Sequence, residues 1–258
     1  MQLAKHVSQG KISYLNQSEE SVSVCENKHY RWLAFTGKNG EQVIQSVMLK
    51  RIPWKLTLPH QTALMLPLLF FKPKQIVELG LGGGNIQRYI EHVSKEIIIH
   101  SVENNNIVID CFNQYFNPDD NKVHVIYNDS KQWLQQNNSQ YDWYICDVYQ
   151  QEIQSYENAV NQLEYLTDNI SPDTCLSINL PNATDGEVNL LLTILKEVSQ
   201  HHEISYFHVP NYLNIIIHLI PKEWQTYKKL KRNNQSYLPK NTFSRWKQFW
   251  QQGKKTLA

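Results

Sequence analysis

The chain has 258 residues, 41% of them hydrophobic and 11% aromatic, with a formal net charge of +1. That composition supports one large domain, or one domain with a small appendage, and excludes a disordered chain. The near-neutral total also excludes a molecule that binds polyanions over its whole surface.

From the N-terminus, residues 11–49 read as short strands. Ser21–Cys25, Tyr30–Phe35 and Gln42–Leu49 alternate or are β-rich, and Gly37-Lys38-Asn39-Gly40 is a turn signal between two of them. A small β-hairpin domain over 1–55 is expected. Residues 60–71 suit a helix that starts after Pro59 and tolerates Pro67 poorly. From residue 75 the pattern is regular. Strands are predicted at Gln75–Leu79, Ile97–Val102, Val123–Tyr127, Tyr141–Cys146, Thr174–Asn179, Ile204–Val209 and Leu213–Ile220, with helical segments between the first six. Such alternation predicts an α/β domain over 56–220, a mostly parallel seven-stranded sheet with helices on both faces. The last two strands are joined only by Pro210-Asn211-Tyr212, too short for a parallel crossover, so the seventh strand is expected to be antiparallel.

The four cysteines are scattered, without metal-ligand spacing, and no metal is expected. Met1-Gln2-Leu3-Ala4-Lys5 opens no signal peptide, and the apolar run Ala63–Phe71 is nine residues long and contains Pro67. A cytoplasmic protein without a membrane span is the expectation.

The chemistry gathers at strand ends. Glu78-Leu79-Gly80-Leu81-Gly82-Gly83-Gly84 closes the first predicted strand of the regular region and opens a helix. Gly80, Gly82, Gly83 and Gly84 let the backbone approach a ligand closely. A dinucleotide fingerprint needs a glycine where Asn85 stands, so a nicotinamide or flavin nucleotide fits less well than an S-adenosyl nucleotide. Glu103 ends the next strand at the distance where a carboxylate accepts from ribose hydroxyls, its ordinary alternative being a solvated strand-end acid. Asp129 follows the third strand, placed to accept from an adenine amino group, and either Asp129 or Ser130 is alternatively a helix N-cap. Asp147 closes the fourth strand, nearest the reacting sulfonium. Open α/β sheets bind ligands at these carboxyl ends.

On these residues the chain resembles the spermidine synthase family, the polyamine aminopropyltransferases, over roughly residues 30–220. The most specific stretch is Leu58-Pro59-His60-Gln61-Thr62-Ala63-Leu64-Met65-Leu66-Pro67-Leu68, followed by the glycine loop; Val102-Glu103-Asn104-Asn105, Asn128-Asp129-Ser130 and Tyr141–Asp147 match later motifs. The resemblance implies the class I S-adenosylmethionine-dependent methyltransferase fold, with a Rossmann-like nucleotide-binding domain. It also implies decarboxylated S-adenosylmethionine or S-adenosylmethionine as co-substrate, a small amine as acceptor, His60 and Asp147 in catalysis and Gln61 at the substrate. Two positions depart from the family. Asn85 stands where the resemblance places an acid in the glycine loop, and Gln150 where the catalytic loop has its second acid. An amide hydrogen-bonds but is neither charged nor a base. Glu152 and Glu157 are nearby acids that would compensate. The alternatives are a methyltransferase using ordinary S-adenosylmethionine and a degenerate nucleoside-binding protein.

Residues 221–258 form a basic, aromatic-rich extension with ten Lys or Arg against Glu223 alone, leaving a net of about −8 elsewhere. Phe243, Trp246 and Trp250 share one helical face. Packing on the chain's own core is the first reading; a partner subunit, as in a homodimer, is the second, and nucleic acid or an anionic membrane the remainder. His201-His202-Glu203 reads as a solvated loop. Asn179-Leu180-Pro181-Asn182, which faintly resembles an amino-methyltransferase motif, follows the fifth strand rather than the fourth and is set aside.

Overall fold

The computed structural model describes residues 7, 10–16, 21–37, 40, 42–118, 123–148, 155–225, 237–253 and 255–256. Its first part is a four-stranded antiparallel meander of β1 (Lys11–Leu15), β2 (Ser21–Glu26), β3 (Tyr30–Thr36) and β4 (Gln42–Leu49). The appendage is thus a sheet rather than a hairpin. The alternation sends Val22, Val24 and Leu33 to one face, and Cys25, Trp32, Ala34 and Val47 to the other. The register jumps from Leu33↔Ser46 to Ala34↔Ile44, leaving Gln45 as the extra residue of a β-bulge in β4.

The second sheet contains β5 (Gln75–Leu79), β6 (Ile98–Glu103), β7 (His124–Tyr127), β8 (Trp143–Cys146), β9 (Cys175–Pro181), β10 (His202–His208) and β11 (Asn214–Pro221). Their order is β7-β6-β5-β8-β9-β11-β10, and β11 runs antiparallel to both neighbours. Two further residues, β12 (Lys255–Thr256), pair with the outer edge of β10.

The helices are α1 (Pro59–Leu64), α2 (Asn85–Val93), α3 (Asn106–Cys111), α4 (Ser130–Gln136), α5 (Ser155–Asn169), α6 (Asp185–Val198), α7 (Lys222–Gln225) and α8 (Lys240–Gly253). The helix expected over 60–71 divides into α1 and a 3₁₀ turn, Leu66–Leu69, because Pro67 offers no N–H to continue the ladder. A π turn, Phe112–Phe116, extends α3. Its freed carbonyls take arginine donors: Arg31 Nη1 reaches Tyr115 O at 2.5 Å and Arg88 Nη1 reaches Phe116 O at 2.8 Å.

Both faces of the large sheet are covered. Val77, Leu79, Tyr144 and Ile178 meet Trp133, Leu163 and Leu191 of α4, α5 and α6. Ile76, Ile99, Trp143 and Ile216 meet α1, α2 and α8 on the other side. The aromatic face of α8 therefore packs on its own chain, with Trp250 against Phe70 and Phe207 and Trp246 against Tyr89. Under α1 runs a buried polar chain. Trp143 Nε1 donates to Ser177 Oγ at 2.9 Å, Ser177 Oγ lies 2.7 Å from His218 Nδ1, and His218 Nε2 lies 3.1 Å from Ala63 O.

Candidate functional site

The carboxyl ends of β5, β6, β8 and β9 open into one cleft of about 730 Å³, roofed by β4 and α1. The glycine loop is its floor. Gly80 and Gly84 sit at φ +93° and +63°, where side-chain-bearing residues are strained. A Cβ at Gly80 would stand 2.6 Å from Asp147 O, and one at Gly84 2.2 Å from the Phe112 ring. Gly83 N–H donates to Ser46 Oγ at 2.8 Å, which joins the small sheet to the loop. Gly80 and Gly82 line the cleft; Gly83 and Gly84 face Ser46 and Phe112 instead.

Glu103 lies at the end of β6 as expected. Its Oε2 accepts from Leu81 N and its Oε1 from Asn105 N, both at 3.1 Å. Burial raises the pKa of this carboxyl, and the backbone N–H groups of Leu81, Asn105, Gly82 and Asn104 oppose that rise. Glu78 is wholly buried beneath the loop, and burial pushes its carboxyl well above the usual range. Ser101 Oγ lies 2.8 Å from Glu78 Oε2 and 2.6 Å from Gln87 Oε1. One hydroxyl hydrogen serves only one of these oxygens, and a protonated Glu78 supplies the other.

Asp147 and His60 face the same cleft from β8 and α1. Burial lowers the His60 pKa; the Asp147 carboxylate acts the other way but does not overcome it. Asp147 Oδ1 accepts from Asn179 Nδ2 at 2.6 Å.

Three of the expected site residues carry structural bonds, and of these Asn85 and Gln61 also line the cleft. Asp129 does not line the cleft: its Oδ1 caps α4, accepting from Lys131 N at 3.0 Å and Gln132 N at 3.1 Å, while Asn128 and Ser130 face the cavity. Of the two capping alternatives, Asp129 is the one taken. Asn85 is buried and spent on a joint between the sheets. Its Nδ2 donates to Val47 O at 2.9 Å and Gln61 Oε1 at 3.2 Å, and its Oδ1 accepts from Arg88 Nη2 at 2.5 Å. Gln61 touches the cavity, but its Oε1 is held by that bond and by Leu58 N at 3.2 Å. Gln150 and Glu152 lie outside the described residues, and Glu157 is exposed on α5.

Sequence reasoning missed Gln45, Asn128, Tyr212 and Asn214, and set aside Asn179, all of which line the cleft. Gln45 Nε2 is buried without a hydrogen-bond partner among the described residues. Its one signal in the sequence is the broken alternation Val43-Ile44-Gln45-Ser46. The described lining holds Glu78, Glu103 and Asp147, with His60, seven asparagines and neither Lys nor Arg. The carboxyl groups of Glu103 and Asp147 favour cations in such a wall, and an anion would find amide donors there but no positively charged side chain among the described lining residues. Among the described residues no cluster of His, Cys, Asp or Glu is arranged to hold a metal, and no helix is long and apolar enough to cross a membrane.

This strand order, with a glycine loop after β5 and an acid after β6, is the class I S-adenosylmethionine-dependent methyltransferase fold in its spermidine-synthase-like form. Among solved structures the chain is similar to a probable spermidine synthase from Corynebacterium glutamicum, at 16% identity over 82% of this chain and 80% of that one, with a TM-score of 0.64. It is also similar to a spermidine synthase in complex with the transition state analogue AdoDATO, at 14% identity, 81% and 72% coverage and a TM-score of 0.58. Human methyltransferase-like protein 13 in complex with SAH aligns at 17% identity, 76% and 93% coverage and a TM-score of 0.58. No family model matches the sequence, and no curated protein matches it. At these identities the likeness establishes the fold.

Proposed function

We propose that the chain is a spermidine-synthase-like transferase that binds an S-adenosyl nucleoside in the cleft and transfers its aminopropyl group to an amine. The observation that carries this reading is the charge of the wall: the carboxyl groups of Glu103 and Asp147 among amides, with no lysine or arginine among the described lining residues. A sulfonium and an amine are both cations, and such a wall attracts both. Decarboxylated S-adenosylmethionine, which has no carboxylate to place, suits it better than the parent compound. The glycine floor fits a nucleoside, since a Cβ at Gly80 would fill the space beside Asp147. In this reading Glu103 takes the ribose hydroxyls, and Asn128 and Ser130, which line the same cleft, take the adenine edge.

The donor supplies an activated carbon beside a sulfonium. The amine nitrogen forms the new C–N bond as the C–S bond breaks, and the electron pair goes to sulfur, leaving methylthioadenosine. Asp147 holds the amine as a cation before reaction. His60 is neutral at pH 7 because burial lowers its pKa, so its ring nitrogen accepts the proton the amine loses. Asp147 then stabilises the resulting imidazolium. This leaves no step that needs an acid at position 150.

Methyl transfer from ordinary S-adenosylmethionine is the second reading. It is favoured by Asn85, whose amide is consumed between the sheets and presents no negative charge against a donor carboxylate. The test is calorimetric binding of methylthioadenosine, decarboxylated S-adenosylmethionine and S-adenosylmethionine, with methylthioadenosine release measured on a panel of amines. Release with an amine supports aminopropyl transfer. Tight binding of S-adenosylmethionine with S-adenosylhomocysteine as product replaces it by methyl transfer.

A further inference from the structure

Asp147, Asn179 and Asn214 stand together although the chain separates them widely. They belong to the ends of β8, β9 and β11, which are neighbours in the sheet. Because β11 is antiparallel, its first residue meets the last residues of the parallel strands beside it. Asn182 N–H donates to Leu213 O at 2.9 Å and pins that meeting point. Asn214 Nδ2 donates to Asn179 Oδ1 at 3.0 Å, and Asn179 Nδ2 donates to Asp147 Oδ1 at 2.6 Å. Asn179 is only 9% exposed, and all three residues line the cleft.

The run has one polarity. An ionised carboxylate only accepts, so Asn179 must turn its Nδ2 toward Asp147. That leaves Asn179 Oδ1 facing away, where Asn214 supplies the donor. Neither amide can pass a proton along, so the run orients Asp147 without offering the reaction a proton path.

We infer that Asn179 and Asn214 are positioning residues: an amide relay across three strands fixes the Asp147 carboxylate, so that one oriented acid holds the cationic acceptor. The inference rests on the reading of Asp147 as the acceptor-binding carboxylate. Among the described hydrogen bonds Asn214 reaches Asp147 through Asn179, so its effect should vanish when Asn179 is removed.

The test uses the full chain in two measurements. In ¹⁵N-labelled protein, the Asn179 side-chain amide signals are assigned by their loss in Asn179→Leu. One of the two protons should lie downfield, and it should move in both Asp147→Ala and Asn214→Ala. Putrescine is then the probe of the site, by calorimetry with methylthioadenosine saturating and by turnover. Asn179→Leu should raise the putrescine Kd and KM about tenfold and Asn214→Ala about threefold to fivefold, with kcat changed less than twofold. Asn179→Leu/Asn214→Ala should be no worse than Asn179→Leu alone. Asn214→Leu keeps the bulk but removes the donor, so it should be no better than Asn214→Ala; a packing role predicts that it restores binding. Additive losses, an Asn214→Leu that restores binding, or an Asn179 signal indifferent to Asp147→Ala overturns the relay. Coupled amide signals in a protein that binds no putrescine would instead overturn the acceptor reading and leave the relay standing.

Discussion

His218 Nε2 lies 3.1 Å from the carbonyl oxygen of Ala63, so a histidine buried in β11 holds the helix that carries His60 and Gln61. A carbonyl only accepts, which makes Nε2 the protonated nitrogen and Nδ1 the acceptor for Ser177. Burial drives the His218 pKa down to about 3 from an ordinary value of 6.5.

Acid should therefore weaken the fold through this residue. Below about pH 6.5 the unfolded chain binds a proton here that the folded chain refuses. The His218 contribution is whole above that pH and is lost as pH falls toward 3, at about 1.4 kcal/mol per pH unit. Denaturant titrations of wild type and His218→Gln between pH 4 and 7 should differ by that slope. Equal slopes would show that His218 is charged in the folded protein.

Glu103→Gln should bind methylthioadenosine about 10- to 150-fold more weakly, from the loss of about 1.5–3 kcal/mol of charged hydrogen bonding to the ribose. Calorimetry reads the change directly, and unaltered affinity would move the ribose elsewhere in the cleft.

Gln45→Leu should act in opposite directions on stability and binding. Removing a buried donor without a partner should stabilise the free protein by about 1 kcal/mol. In the proposed nucleoside complex that donor would gain a bond to ligand that leucine cannot make, so methylthioadenosine should bind about fivefold more weakly. A loss of both stability and affinity would mean that Gln45 is already paired in the free protein.

Arg88→Met should cost about 3–5 kcal/mol, a melting shift of roughly 6–20 °C. Arg88 reaches Pro53 O at 2.9 Å, Phe116 O at 2.8 Å, Gly83 O and Asn85 Oδ1, so one side chain ties β4's exit, the π turn and the glycine loop together. Lys in its place should rescue little, because a single ammonium cannot reach that spread of acceptors.

What the sequence announced was whatever a short-range pattern can encode. The apolar runs from Gln75 to Ile220 yielded the seven main strands, and the three-residue link Pro210-Asn211-Tyr212 fixed the direction of β11. The i, i+3, i+7 spacing of Phe243, Trp246 and Trp250 gave the buried face of α8. Contacts across long separations were not legible. Asn179 looked like a misplaced motif because its partners, Asp147 and Asn214, are brought to it only by sheet order. The choice of Asp129 over Ser130 as the cap was not legible because either residue type can cap a helix, and only the backbone angle at the start of α4 decides between them. Gln45 was hidden because a bulge overrides the alternation from which strand faces are read.

The placement of α8 and β12 has a consequence for synthesis. Translation proceeds from the N-terminus, so the carboxyl-end cleft and all seven long strands leave the ribosome before the residues that finish them. Until Phe243, Trp246 and Trp250 emerge, the surface formed by Phe70, Tyr89 and Phe207 stays wet, and until Thr256 emerges the edge of β10 stays unpaired. A nascent chain stalled near residue 225 would hold its glycine loop and Glu103 in sequence but expose an apolar flank and an open strand edge, the kind of surface that chaperones bind and that promotes aggregation. Emergence of α8 and β12, rather than formation of the cleft, is thus the point at which this flank and this edge are covered.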